Sequence, residues 1–173
     1  MSLRSEKDQM KFECRIAKPG DEDGIMHVLT GVASEIPVPI GDDDPDSQEI
    51  MRFILSECCE SGESLVATDA NGMIIGFVLA KADVRERFFK SNQAVSIRYI
   101  GVKHSWRQRG IFADLMQRMK AAQRPLKASV LHTNKGQMAD RLSKLGFTIE
   151  KSGDTETDFA WRPSPHEKLQ TSV

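Results

Sequence analysis

Apolar and polar positions along this chain repeat at two spacings, and each change of spacing marks a new element. KFECRI and the alanine after it predict a strand over 12–17, after which Ile25, Val28, Leu29, Val32 and Ile36 fall on one helical face, with Asp21 or Asp23 placed to start the helix. The Pro- and Asp-rich stretch IPVPIGDDDPD then interrupts regular structure. A second helix follows, turning Ile50, Ile54, Leu55 and Cys58 inward, with Asp46 and Glu49 as its capping box.

SLVATD and MIIGFVLAKAD flank Ala70-Asn71-Gly72, and Asn-Gly between two apolar runs predicts an antiparallel hairpin whose turn positions tolerate positive φ. A polar loop, VRERFFKSNQ, leads to VSIRYIGV, a strand by its β-branched content. KHSWRQRG then opens a helix bearing Ile111, Leu115, Met119 and Ala122. The remainder reads as a strand (KASVLH), a helix over about 135–145 with Met138, Leu142 and Leu145 inward, and a closing pair of strands in LGFTIE and TDFAWRP. The order β-α-α-β-β-β-α-β-α-β-β, without repeat or long linker, predicts one α+β, mixed-sheet domain over 12–162. Polar tails are expected at 1–11 and 163–173.

Composition narrows the function classes. The 173 residues are 39% hydrophobic and 28% charged, enough for one core without disulfide or metal staples. No apolar run approaches the ~20 residues a membrane-spanning helix needs, and MSLRSEKDQMK has no apolar signal region, so no membrane association is expected and a cytoplasmic location is. Cys14, Cys58 and Cys59 suit a reducing compartment, since adjacent cysteines in a helix are poorly placed to bridge. His27, His104, His132 and His166 are scattered without ligand partners, and no metal is expected. A net charge of −1 argues against nucleic acid as a partner. Charge is nonetheless segregated: residues 41–70 hold nine acids against Arg52, while 98–127 hold eight bases against Asp114, and an anionic ligand would favour the second segment.

Chemistry concentrates between Val102 and Ala113. There a strand ends, Lys103, Arg107, Arg109 and Gly110 follow, and a helix begins whose first backbone N–H groups lack internal partners. Such an end attracts phosphate, and glycine lets a ligand approach the main chain closely. A Walker loop would need Gly-Lys-Ser/Thr, and a dinucleotide fingerprint two further glycines; neither is present.

Arg107-Gln108-Arg109-Gly110-Ile111-Phe112 resembles the coenzyme A signature of the GNAT acetyltransferase superfamily: Arg or Gln, two residues, Gly, one residue, then Gly or Ala. Phe112 departs from it at the last position. The order of elements, the Asn71-Gly72 hairpin, Asn134 and the closing KLGF extend the resemblance over about 12–162. It implies a central, mostly antiparallel sheet of six to seven strands flanked by about four helices, with acetyl-CoA as cosubstrate. Ile100, Gly101 and Val102 would pair with the pantetheine arm. Gln108, Arg109, Gly110, Ile111, Phe112 and Ala113 would hold the pyrophosphate, with Arg107 shaping the loop and Asn134 beside the ligand.

The family's usual catalytic groups are displaced. Ser96 stands where many members carry a glutamate base, and Leu142 where many carry a tyrosine acid. Ser96, Tyr99 and His132 are the substitutes by location. The resemblance implies an N-acetyltransferase acting on an amine of a small molecule or protein, for which positioning supplies much of the rate. A catalytically silent acyl-CoA-binding regulatory module and a cofactor-free interaction domain are the competing readings. The acid cluster Asp42, Asp43, Asp44 and Asp46 lies where the family borders its acceptor, and solubility or helix capping accounts for it equally well. The acceptor and the oligomeric state, a homodimer included, stay open.

Overall fold

The computed structural model describes residues 11–36, 45–82, 93–134 and 137–165. Asp42, Asp43 and Asp44, nearly all of the loop expected at 84–93 and most of both expected tails lie outside the described residues. In chain order the elements are β1 (Phe12–Ile16), α1 (Glu22–Val32), α2 (Pro45–Glu60), β2 (Leu65–Asp69), β3 (Ile74–Ala82), β4 (Val95–Val102), α3 (Ile111–Ala121), β5 (Leu126–Leu131), α4 (Met138–Lys144), β6 (Thr148–Ser152) and β7 (Glu156–Trp161). A single 3₁₀ turn, His104–Trp106, sits between β4 and α3.

The seven strands form one sheet in the order β1-β2-β3-β4-β5-β7-β6. Every pairing is antiparallel except β4 with β5, which the crossover through α3 makes parallel. Helices cover both faces. Ile25, Val28 and Leu29 of α1 and Met51, Leu55, Cys58 and Cys59 of α2 pack with Val66, Phe77 and Leu79 on one side. Ile111, Leu115, Met116 and Met119 of α3 and Leu142 of α4 pack with Val78, Val95, Ile97, Ile100 and Val102 on the other. β3 is therefore buried from Ile74 through Ala80, as a strand between two helical layers must be.

Several local expectations change. On α2 the inward stripe is rotated: Met51 and Cys59 are buried, while Ile50 is 55% exposed. Asp46 lies in the first turn of α2 behind Pro45, which suits the first helical position because its missing N–H is one the helix leaves unpaired there. On α3 Ala122 is exposed and Met116 takes its place in the core. Asp21 precedes α1 but does not cap it. Its carboxylate instead accepts from Arg15 at 2.7 and 2.9 Å and from the Lys18 N–H at 2.9 Å, tying β1 to the start of the helix. The β2–β3 hairpin forms, but only Gly72 has positive φ. The Asp69 carboxylate closes the turn by accepting from the N–H groups of Asn71 and Met73.

Candidate functional site

The site begins with one extra residue. Leu79 pairs with Tyr99 and Ala80 with Ile97, so Arg98 is left over as a bulge in β4. Before it, Val95 and Ile97 face the α3 side; after it, Ile100 and Val102 face that side, while Tyr99 packs toward α1 and α2. The bulge bends β4 away from β5. Their pairing covers only Val95–Ile97 against Leu126–Ala128, and beyond Ile97 the two strands diverge.

Between the diverging strands lies a cleft of about 370 Å³. Ser96 to Gly101 form one wall, Lys127 to Leu131 the other, and Asn134, Met138, Glu35 and Ile36 close it. The Lys103 N–H donates to the Ile75 carbonyl at 2.8 Å, so two-residue alternation turns the backbone of Gly101 toward β3 and that of Ile100 and Val102 toward the cleft. Gly101 is required by crowding: a Cβ there would stand 2.8 Å from Phe77 Cε1 and 3.3 Å from Val32 Cγ2.

At the far end of β4 the chain makes the 3₁₀ turn and enters a tight loop in which Gln108 (φ 61°) and Gly110 (φ 81°) are both left-handed. A non-glycine residue there is strained, and the pattern turns successive N–H groups to one side. The first bond of α3 is Asp114 N–H to Gly110 O at 2.9 Å, so the N–H groups of Ile111, Phe112 and Ala113 have no intrahelical acceptor. The helix dipole adds a favourable field for an anion. The guanidinium of Arg109 stacks 4.8 Å from the centre of the Trp106 ring, holding a cation beside these amides. Phe112, where the signature would have a small residue, is partly buried and packs into the α3-side core. Its side chain points into protein, and its N–H stays in the first turn.

Arg107 braces the loop from within. Its Nε donates to the Val102 carbonyl at 3.1 Å, and its Nη1 lies 3.1 and 2.9 Å from the two oxygens of Glu35, just past α1. His104 Nε2 is 3.1 Å from the same carboxylate. Sequence reading missed Glu35, which no local pattern couples to residue 107.

The three substitute catalytic positions separate. Ser96 and Tyr99 line the cleft, and Tyr99 is half-buried, its phenol pushed above the ordinary tyrosine value by burial. His132 lies outside it, at the end of β5. Both ring nitrogens are engaged there, Nδ1 with the Asp154 carbonyl and Nε2 with Thr157 Oγ1, each at 3.1 Å. Asn134 lines the cleft, and Leu142 is fully buried.

A cleft with an available strand edge, lined by Arg107 of the loop that carries the backbone N–H cluster and a cation, suits a long molecule with an amide-bearing arm and a diphosphate. No family model and no curated protein sequence matches the chain. Solved structures do. An acetyltransferase of the GNAT family from Streptococcus agalactiae is similar with a TM-score of 0.65 at 17% identity, over 88% of this chain and 96% of that one. The chain has the GNAT acetyltransferase fold. Two further structures carry the ligand class in view. The PaiA N-acetyltransferase of Thermoplasma acidophilum, in complex with coenzyme A, gives a TM-score of 0.63 at 16% identity, over 88% and 99% of the two chains. NAA60 of Arabidopsis thaliana, in complex with acetyl-CoA, gives 0.64 at 18%, again over 88% and 99%. Among the described residues no helix is long and apolar enough to cross a membrane, and no three metal-ligating side chains cluster.

Proposed function

We propose that the protein is an N-acetyltransferase that moves an acetyl group from acetyl-CoA to an amine of a small molecule or protein. The observation that carries this is that Arg107, which lines the β4/β5 cleft, belongs to the same loop as the amide cluster at the start of α3. Gln108 to Ala113 hold the diphosphate, with Arg109 adding charge and Arg107 fixing the loop. The cleft-facing backbone of Ile100 and Val102, spaced by Gly101, lines up the amide-bearing arm, with Asn134 opposite. The thioester supplies an activated acyl carbon.

The chain's own contribution is mostly placement, which can supply roughly 7–11 kcal/mol of a barrier when two reactants are held in register. Burial keeps the Tyr99 phenol protonated across the neutral range, so it is a proton source for a leaving thiolate, and Ser96 can order a water against the attacking amine. His132 is left to tie β5 to the β6–β7 hairpin. The domain spans 12–162. Three buried, unpaired thiols support a cytoplasmic setting.

A second reading, a silent acyl-CoA-binding module, is favoured by the serine at 96 and the buried leucine at 142, where many acetyltransferases of this fold carry their base and acid. Incubation with acetyl-CoA and a panel of amines, following thiol release, separates the two. Acceptor-dependent release supports the transferase, and binding of coenzyme A without release on any acceptor supports the silent module.

A further inference from the structure

Resting on the acetyltransferase reading, we propose that the acceptor is a primary amine that also carries a carboxylate, and that Arg98 receives the carboxylate. Arg98 is the extra residue of the β4 bulge, exposed and on the cleft wall. Its charge is felt at Tyr99 and at Cys58 of α2, where it opposes the upward effect of burial, so the guanidinium stands within electrostatic reach of both. Other cations in this part of the molecule are matched: Lys81 with Glu57 at 3.0 Å, Arg124 with Glu63 at 2.6 Å, and Arg107 with Glu35. Among the described residues no carboxylate pairs with Arg98.

The surrounding charge points the same way. The cleft is lined by Arg98, Lys127 and Arg141 against Glu156, with Arg107 and Glu35 paired to each other and Lys127 engaged elsewhere. A polycationic acceptor would meet like charge at the transfer point. A carboxylate would find a planar guanidinium able to bind it through two parallel hydrogen bonds. Ser96 leaves no carboxylate at that point of β4 to attract an ammonium, so recognition falls to the acceptor's anion. The chemical class is that of an amino acid.

The test uses the full chain, acetyl-CoA, and three sets of acceptors: the proteinogenic α-amino acids, their carboxamides, and spermidine. Coenzyme A binding is measured in parallel by calorimetry. For at least one amino acid, kcat/KM is expected to exceed that of its carboxamide by about tenfold or more. Arg98→Gln is expected to raise that acceptor's KM about ten- to a hundredfold and abolish the preference, Arg98→Lys to retain part of it, and both to leave coenzyme A affinity within about twofold. Loss of coenzyme A binding in the wild type would overturn the acetyltransferase reading itself. With normal coenzyme A binding, acetylation of carboxamides or spermidine as well as of the acids overturns the present proposal alone, and acetylation of no amine at all overturns the transferase reading with it.

Discussion

The guanidinium of Arg107 and the carboxylate of Glu35, 72 residues apart in sequence, meet at 2.9 Å and join the end of α1 to the loop that opens α3. One hydrogen bond from the same guanidinium to the Val102 carbonyl continues the link into β4. The loop that would hold the diphosphate is thus braced by both the strand before it and the helix on the opposite layer.

Glu35→Ala is accordingly expected to weaken coenzyme A binding about three- to tenfold, the pair being roughly a quarter exposed and its worth discounted for solvent. Glu35→Gln, which keeps an acceptor, is expected to fall between. Calorimetric titration checks this, and unchanged affinity in Glu35→Ala would remove the bracing role.

Gly101 carries a steric prediction. An added Cβ meets the edge of the Phe77 ring at 2.8 and 2.9 Å, so Gly101→Ala is expected to cost about 1–3 kcal/mol and lower Tm by about 2–4 °C per kcal/mol. Combining it with Phe77→Leu is expected to be less damaging than the sum of the two single changes, because the smaller side chain vacates the contact. Additive losses in thermal melts would count against this packing.

Asp21 carries a pH prediction. Its hydrogen bonds from Arg15 hold the carboxyl below the usual aspartate value, against a smaller opposing effect of burial. A carboxylate with a depressed folded-state pKa contributes stability that is complete above its unfolded value, near 4, and is lost as pH falls through the folded value. Asp21→Asn is therefore expected to cost about 1–2 kcal/mol at pH 7, with the difference from wild type shrinking below about pH 4. Urea melts across that range check it; a difference independent of pH contradicts it.

The cysteines should be inert in the folded protein. Burial, reinforced at Cys14 by a hydrogen bond to Asp114, pushes the Cys14 and Cys59 thiols up to about 12, and burial raises Cys58 as well. A thiol reagent at pH 8 is expected to modify none of the three until the chain is denatured, and all three afterwards. Rapid labelling of the native protein would contradict this placement.

Which of these features the sequence discloses follows from their range. The hairpin at Asn71-Gly72, the order of elements and the loop at 107–113 are written in neighbouring residues, and all three are found. The α2 stripe was misread because Ile50 and Met51 are adjacent apolar residues and a helix can bury only one of the two edges they mark. The β4 bulge had a local sign that went unread: the apolar alternation Val95, Ile97 resumes at Ile100 and Val102, one residue out of phase. Glu35 had none, since its partner lies on another layer, and no spacing rule separates a cleft position such as Tyr99 from a strand-end position such as His132.

The claim on which all of this turns is that the amides from Gln108 to Ala113 and the cleft edge of β4 bind a coenzyme A diphosphate and its arm. Recording backbone amide resonances of labelled protein during titration with coenzyme A tests it most directly. The expected result is saturable shifts concentrated at Gln108–Ala113 and Ile100–Val102. No saturable shift at millimolar coenzyme A, or shifts confined to another surface, would contradict it.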